Sequence, residues 1–198
     1  MEISAKMVKE LRDKTNAGMM DCKKALAESG GDFDKAVTYL REKGIAKAAA
    51  KAGREAKEGI ITAYIHPGSK LGVLIEIDCE TDFVARTEDF QNFAKDVAMQ
   101  IAAANPIAVT RDQIEPAAVE KEKEIFRHQA INEGKPEKIL DKIVEGKLEK
   151  YFAETCLLEQ PFVKNADKTM EEYLKEIISK LGENIVIRRF ARFRLGEI

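Results

Sequence analysis

The chain has 198 residues, of which 44% are hydrophobic. This is enough for one large domain, or for a small domain joined to a medium one. Charged residues make up 34%, but the 33 basic and 35 acidic side chains nearly cancel. The overall charge therefore gives no sign of a polyanion-binding protein. No apolar run approaches the roughly 20 residues of a membrane span, and the first four residues lack a signal-segment layout.

The three cysteines are odd in number and widely spaced, at Cys22, Cys79 and Cys156. Free, buried thiols in a reducing cytoplasm are the simplest account of that usage. The two histidines, His66 and His128, are far apart and have no second metal ligand nearby in the sequence. We therefore expect no metal site, no cofactor and a cytoplasmic location.

Residues 1–44 predict a small module of three short helices, whose starts and stops are marked by capping residues and glycines. The markers are Ser4, Asn16-Ala17-Gly18, Gly30-Gly31, Asp32 and Gly44. Met19 and Met20 fall at the first bend, and adjacent residues cannot both face one core stripe. At least one is therefore expected to be exposed, either for a partner, which methionine suits, or incidentally. Residues 45–58, rich in alanine, lysine and glycine, predict a partly helical linker, with its lysines solvated by default.

A strand followed by a helix gives the clearest signal in the chain. Residues 59–79 predict a hairpin, whose second strand alternates from Leu71 to Cys79. Thr87 is placed to cap the helix that follows. Phe83 lies between the two elements and fits neither pattern. It is either a hydrophobic staple packed at the helix entry or an exposed aromatic presented to a partner.

Asp82, next to that aromatic, also has two interpretations. It caps a turn through its own side chain, or it accepts hydrogen bonds from a partner.

Further along, helices from Pro116 to Glu133 and from Pro136 predict an antiparallel hairpin spanning about 116–155. A side of the first is expected to carry Ala118, Glu122, Ile125, Phe126, Gln129 and Ala130. Whether its seam packs within the chain or against a second copy stays open.

The last part of the chain completes an α+β fold. Residues 160–164 predict an extended loop, and Gly182 ends a helix after it. The last strand alternates between an apolar and a basic side. The apolar residues are Ile185, Ile187, Ala191, Phe193 and Leu195, and the basic side carries Arg188, Arg192 and Arg194. Pairing of this strand with the hairpin predicts a small antiparallel sheet covered by helices.

Sequence motifs for catalysis are absent from the chain. It has no phosphate-binding glycine loop, because neither Gly134-Lys135 nor Gly146-Lys147 has the required flanking residues. It also lacks a zinc-protease helix motif, paired-cysteine zinc spacing and a nucleophile elbow. Its residues alone therefore indicate an interaction protein rather than an enzyme.

Several ordered motifs resemble the translation elongation factor Ts family over nearly the whole chain. They are Val8 to Thr15, Ala17 to Leu26, Thr81-Asp82-Phe83-Val84-Ala85, Gly134-Lys135-Pro136, Val144-Glu145-Gly146, Gln160-Pro161-Phe162-Val163 and Gly182-Glu183-Asn184-Ile185. The resemblance implies a ubiquitin-associated-like module at 1–44, a linker at 45–58 and a sheet-and-helix core at 59–198. It implies a guanine nucleotide exchange factor that binds elongation factor Tu and promotes GDP release, without covalent chemistry.

The resemblance also implies which residues contact elongation factor Tu. Arg12, Met19 and Met20 would dock the N-terminal module, while Lys51, Leu181 and Gly182 would make flanking contacts. Thr81, Asp82, Phe83 and Val84 would disturb the partner's magnesium and phosphate site, and Phe83 would act as a wedge. No direct nucleotide binding, nucleic-acid binding or membrane binding by this chain is implied.

Many members of that family have two related core halves, whereas this sequence has one. It resembles the short form, which implies a homodimer of two cores joined face to face. The alternative class of function is a ubiquitin-associated-like adaptor, or a ribosome or RNA binder that uses Arg188, Arg192 and Arg194.

Overall fold

The computed structural model describes residues 3–15 and 17–197. Its α+β architecture confirms the predicted fold class. The chain divides into two compact units. The first comprises Met1–Ile60, Ile77–Phe93 and Glu172–Val186, and the second comprises Ile61–Glu76, Ala94–Glu171 and Ile187–Ile198. The boundaries expected from the sequence, at 44, 58 and 59, stay a prediction.

The N-terminal module consists of α1 (Ala5–Thr15), α2 (Met19–Glu28) and α3 (Phe33–Ala49). The predicted caps are present: the Ser4 hydroxyl accepts from the Met7 amide at 3.3 Å, and the Asp32 carboxylate accepts from two amides at 3.0 and 3.1 Å. A single apolar cluster joins the helices through Val8, Leu11, Cys22, Ala25, Leu26, Ala36 and Leu40. Asn16, expected in the first stop signal, lies outside the described residues.

Helix α3 does not stop before Gly44, contrary to the prediction from the sequence. It continues to Ala49 because the residues after the glycine are mostly alanine and lysine, both strong helix formers. A side-chain carbon at Gly44 would lie 3.8 Å from the Ser179 side chain. The glycine therefore sits at a close helix contact rather than at a helix end.

The main sheet has the order β1-β2-β5, with β1 at Glu58–Ile65, β2 at Leu71–Cys79 and β5 at Ile185–Arg194. This confirms the hairpin and its pairing with the last strand. Strand β2 buries every second residue, from Val73 to Cys79, as its alternation predicts. Gly59 has φ +148°, and a side chain there would lie 2.2 Å from the Ile77 carbonyl oxygen. Only glycine allows so close an approach of the two backbones.

After β2 the chain forms α4 (Asp82–Ala85) and α5 (Glu88–Ala104). The helical hairpin then consists of α6 (Pro116–Asn132) and α7 (Leu140–Thr155). The predicted start at Pro136 is wrong for the α-helix, because a 3₁₀ turn at Glu137–Ile139 comes first. The hairpin packs within its own chain, where the rings of Phe126 and Tyr151 meet edge to face at 6.5 Å.

The predicted apolar side of α6 is only partly correct. Ala130 is buried, but Ile125 and Ala118 are exposed. Val119 and Phe126 are the partly buried residues that pack on the cluster formed with α7. The contact stripe therefore passes through Val119, Phe126 and Ala130 at helical spacing.

Residues 160–164 were expected to form a loop, but the structure places a short strand pair there. Strand β3 (Pro161–Phe162) pairs antiparallel with β4 (Asn165–Thr169). The buried Gln100 side chain holds the first strand: it donates to the Pro161 carbonyl at 3.2 Å and accepts from the Val163 amide at 2.8 Å. Helix α8 (Met170–Leu181) follows and ends at Gly182 as predicted, with φ +83°.

Candidate partner-binding site

Two threonines, Thr81 and Thr87, each cap the start of a helix in the segment between β2 and α5. The Thr81 hydroxyl accepts from the Val84 amide at 3.4 Å and begins α4, a single helical turn. The Thr87 hydroxyl accepts from the Phe90 amide at 3.3 Å and begins α5, which confirms the predicted cap. The segment that the sequence left as a loop is therefore one helical turn between two capped starts.

Phe83 is the second residue of that turn, and 77% of it is exposed. Ala85, two residues later, is buried and anchors the turn. A hydrophobic staple would be shielded by the helix that it packs against, so the exposure excludes that interpretation. The turn thus presents an aromatic ring to solvent, an arrangement typical of an interface anchor.

A carboxylate from a distant segment holds the start of the turn. One oxygen of Glu183 accepts from the Glu80 and Thr81 amides, both at 3.0 Å. Its other oxygen accepts from the Thr81 hydroxyl at 2.6 Å. Hydrogen bonds to a charged carboxylate are stronger than neutral ones. Glu183 therefore fixes the backbone and the capping side chain directly before Phe83.

Hydrogen bonds also run in the other direction, from Asn184 to Glu80 and Arg54. The Glu80 carboxylate accepts from the Asn184 amide at 2.6 Å, and the Asn184 side chain donates to the Arg54 carbonyl at 2.7 Å. Arg54 in turn pairs with Glu80 at 3.5 Å. Asn184 is buried, so its two hydrogen bonds are shielded from competing water, whereas the Arg54 side chain is 53% exposed. Three segments far apart in sequence are thereby joined at the corner.

Asp82 does not cap a turn through its own side chain, because Thr81 does so instead. The Asp82 carboxylate accepts from the Arg86 guanidinium at 2.7 Å. The pair spans four residues and is largely solvated, with side-chain exposures of 44% and 76%. Such surface pairs contribute little stability, so a partner could exchange this bond at small cost.

Lys51 and Gly182 meet at the end of α8. The Gly182 amide donates to the Ile178 carbonyl at 3.0 Å, and the Lys51 ammonium lies 3.5 Å from the same oxygen. A cation at a helix C-terminus is favourable for the helix dipole. Partial burial lowers the pKa of Lys51, so this lysine is not the fully solvated side chain that the linker composition suggested. Leu181 is half-buried beside them.

The N-terminal module exposes the other expected contact residues. Met19 and Met20 are 51% and 74% exposed at the start of α2, and Arg12 is exposed on α1. The prediction that at least one methionine is exposed is confirmed, and neither fills the core of the module. Behind them the Asp21 carboxylate accepts from Lys43 and Lys47, each at 2.7 Å. These bonds lower the pKa of Asp21.

The structure thus brings some of the predicted residues together. Lys51 and Gly182 meet at the end of α8, and Glu183, the next residue along the chain, binds Thr81 at the start of the turn. Glu183 and Asn184 lie within one of the family motifs quoted from the sequence, but sequence reasoning assigned no role to them or to their partners Glu80 and Arg54. The available signal was an acidic residue directly after a helix-ending glycine, but the sequence does not show which amides it holds.

A second surface lies on the outer side of the sheet, within the second unit. Ile65, Leu74, Phe193 and Leu195 are exposed there and line a shallow depression, together with Ala63 and Leu71. Phe193 is 70% exposed and Leu195 is 77% exposed. We call this group the outer apolar face. Monomeric proteins rarely expose so many large apolar side chains together, so the face is a candidate interface.

The predicted division of β5 into one apolar side and one basic side is wrong for the residues after Ile187. Ile187 of β5 is buried, but the next two residues, Arg188 and Arg189, are both exposed. The later apolar residues Phe193 and Leu195 are exposed as well. A shift of one residue in the alternation moves all later side chains to the other face. In agreement with this, the side chain of Arg192 is only 10% exposed.

The arginines of β5 do not form an open basic stripe. Arg192 and Arg194 pair with Glu197 at 3.0 and 3.3 Å. Arg189 pairs with Glu76 at 2.5 Å. The neighbouring carboxylates reduce the net positive charge along the strand, which weakens the electrostatic attraction for phosphate groups.

No catalytic constellation emerges around these surfaces. Cys22, Cys79 and Cys156 are free and buried, as predicted, and burial raises the pKa of Cys79 to about 11. Among residues 3–15 and 17–197, no group of three His, Cys, Asp or Glu side chains could hold a metal ion. None of the helices in the same residues is long and apolar enough to cross a membrane.

An exposed aromatic turn and an exposed apolar face on an α+β fold are typical of an interaction protein. The family model for elongation factor Ts matches residues 2–197. Elongation factor Ts of Desulforamulus reducens is 62% identical over 99% of this chain and 90% of its own length. That of Heliobacterium modesticaldum is 61% identical over 98% and 91%, and that of Caldanaerobacter subterraneus is 60% identical over 98% of both.

The chain belongs to the elongation factor Ts family. It is accordingly an exchange factor that acts by binding, not an enzyme. The partner that this family implies is elongation factor Tu, in the elongation stage of translation.

Proposed function

We propose that the chain binds elongation factor Tu in its GDP form and uses the turn at Thr81–Val84 to disturb the partner's magnesium and phosphate site. Phe83 inserts as a wedge, while Asp82 makes polar contacts beside it. GDP then leaves, and GTP can take its place. The observation that carries this proposal is the exposed ring of Phe83 on a turn held by Glu183.

The physical logic is thermodynamic coupling. A wedge that fits the nucleotide-free partner better than its GDP form weakens GDP binding by the same factor by which GDP weakens the wedge. A ring held in place before binding needs less ordering when it inserts. No bond is made or broken, so neither a general acid nor a nucleophile is required. Any magnesium ion involved belongs to the partner, and this chain binds no nucleotide itself.

The remaining contacts are proposed to position the wedge. Arg12, Met19 and Met20 dock the ubiquitin-associated-like module at 1–44 on elongation factor Tu. Lys51, Leu181 and Gly182 make flanking contacts from around the end of α8. We assign the activity to the cytoplasm, where free thiols and translation coincide.

We further propose that the chain works as a homodimer joined through the outer apolar face. A two-fold interface uses the same patch on both copies, and an exposed set of apolar side chains on a sheet suits that use. Burial of Phe193 and Leu195 on each copy would remove a large apolar area from water.

Release of labelled GDP from elongation factor Tu tests the main proposal. Excess unlabelled GDP is added with or without this chain, and the fluorescence decay is followed. We expect faster release with the chain, whereas an unchanged release rate would contradict the proposal. Labelled GDP mixed with the chain alone is the control, and its fluorescence should not change.

A second arm tests the magnesium step. Because magnesium in such sites binds phosphate oxygens and neutralises their charge, GDP should be held more loosely without it, and the fold-acceleration by the chain should shrink in magnesium-free buffer. An equal fold-acceleration with and without magnesium would show that the wedge acts elsewhere.

A further inference from the structure

The Glu183 carboxylate makes three hydrogen bonds, all to Glu80 and Thr81 at the start of the exposed turn. It takes the amides of Glu80 and Thr81 at 3.0 Å and the Thr81 hydroxyl at 2.6 Å. Each of these groups would otherwise bond to water or compete for another partner. The three bonds therefore hold the two residues from which α4 starts, including its capping residue Thr81.

The position of Glu183 in the chain adds a second link. It follows Gly182, whose amide and Lys51 neighbour close the end of α8. The end of a twelve-residue helix is thus tied directly to a four-residue turn. A helix of four residues has little stability of its own, so its orientation depends on what holds it from outside.

We propose that Glu183 is a positioning residue for nucleotide exchange, acting through Thr81 on Phe83. The Glu183 clamp, meaning its three bonds to Glu80 and Thr81, holds the wedge in its inserting orientation before the partner arrives. This inference rests on the proposed function. It adds that preorganisation of the ring, and not its presence alone, sets the rate of GDP release.

The clamp makes specific demands on substitution. Glu183→Ala removes all three acceptor bonds. Glu183→Gln keeps one oxygen for the two amides, and its amide can donate to the Thr81 hydroxyl. Thr81→Val removes both the hydroxyl bond to Glu183 and the cap on Val84, whereas Thr81→Ser keeps both. The conservative variants should therefore retain activity that the other two lose.

The experiment measures labelled GDP release from elongation factor Tu over a range of concentrations of each full-length variant. We expect Glu183→Ala and Thr81→Val to lower the rate at saturation about tenfold, with the half-saturating concentration changed less than about threefold. Glu183→Gln and Thr81→Ser should stay within about threefold of wild type. Glu28→Ala, which removes an exposed glutamate on α2, is the matched control and should change nothing.

A double-mutant cycle distinguishes positioning from general destabilisation. If Glu183 acts through the ring, Glu183→Ala should lower the rate less than about twofold in a Phe83→Ala background, because no ring remains to be positioned. A loss of folded protein would instead lower the GDP release rate by the same factor with Phe83 present and with Phe83→Ala. Thermal melts of all variants identify that case.

The outcomes separate the two proposals. If wild type does not accelerate release, the proposed function fails. A different result overturns only the positioning role. In that case wild type accelerates GDP release, Phe83→Ala does not accelerate it, and Glu183→Ala accelerates it as much as wild type does. Equal losses from Glu183→Ala in both backgrounds also overturn it.

Discussion

Two phenylalanines in this chain are similarly exposed but sit in different surroundings. Phe83 is 77% exposed on a helical turn whose neighbours are mostly polar. Phe193 is 70% exposed on a strand, in a group that includes Ile65, Leu74 and Leu195. The first is a single ring at a corner, and the second belongs to a continuous face.

The difference indicates two kinds of contact. A lone ring held by a charged hydrogen-bond network can enter a small pocket and act at one point. A broad apolar face has no comparable anchor and derives its binding free energy from the area that it removes from water. Similar exposure therefore does not mean the same function. Removal of Phe83 should impair GDP release, and removal of Phe193 should impair dimer formation.

The largest effect is expected at the outer apolar face. Phe193→Asp places a charge where the proposed dimer buries an aromatic ring, and two-fold symmetry introduces the change twice. Each lost ring is worth about 1.5–3 kcal/mol, so the dimer dissociation constant should rise at least about 100-fold. Sedimentation equilibrium measures this change.

Phe83→Asp is the matched control for that substitution, because it changes an equally exposed ring outside the face. It should leave the sedimenting mass unchanged. Dimer loss in both variants, or in neither, would remove the distinction between the two rings.

A smaller effect is expected from the methionines of the N-terminal module. Met19 and Met20 follow Gly18, which has no side chain to cap α2, and methionine adapts its shape to a partner. The double change to alanine should raise the half-saturating concentration for GDP release about tenfold. The saturating rate should stay the same, because docking is separate from the wedge.

A change in the saturating rate with an unaltered half-saturating concentration would place the methionines in the exchange step instead. Ile131→Ala, which changes an exposed residue of the helical hairpin, serves as the control. It should leave both quantities as in wild type.

The smallest effect concerns the stability of the same module. Lys43 and Lys47 lower the pKa of Asp21 from 3.8, so the native state favours its charged form. That contribution is complete above the unfolded pKa and is lost as the pH falls through the lower native pKa. Asp21→Asn should therefore cost about 0.5–1 kcal/mol at pH 7, since the pair is partly solvated.

Thermal or urea unfolding as a function of pH measures the difference between wild type and Asp21→Asn. The two stabilities should converge as the pH falls below 3.8. A gap that stays constant down to low pH would mean that Asp21 acts through packing rather than through its charge.

Much of the framework could be predicted from local sequence patterns. The alternation in β2, the cap at Thr87 and the stop at Gly182 each depend on residues within a few positions. The turn at Asp82–Ala85 escaped prediction because four residues are too few to show a helical period. The exposure of Phe83 was one of two open interpretations.

The Glu183 clamp could not be predicted for a different reason. Its oxygens reach Thr81 across 102 positions of the chain, and nothing local identifies the amides that they hold. The one-residue shift in β5 was likewise invisible, because Arg188 and Arg189 look like any exposed pair until the strand is placed in the sheet. Long-range pairing determines both features.

The most direct test of the account is release of labelled GDP from elongation factor Tu at saturating wild type and saturating Phe83→Ala. Truncation of an interface anchor costs at least about 2 kcal/mol, which predicts release about 30-fold slower with the variant. The melting temperature and the sedimenting mass should match those of wild type. Equal release rates for the two proteins would contradict the account.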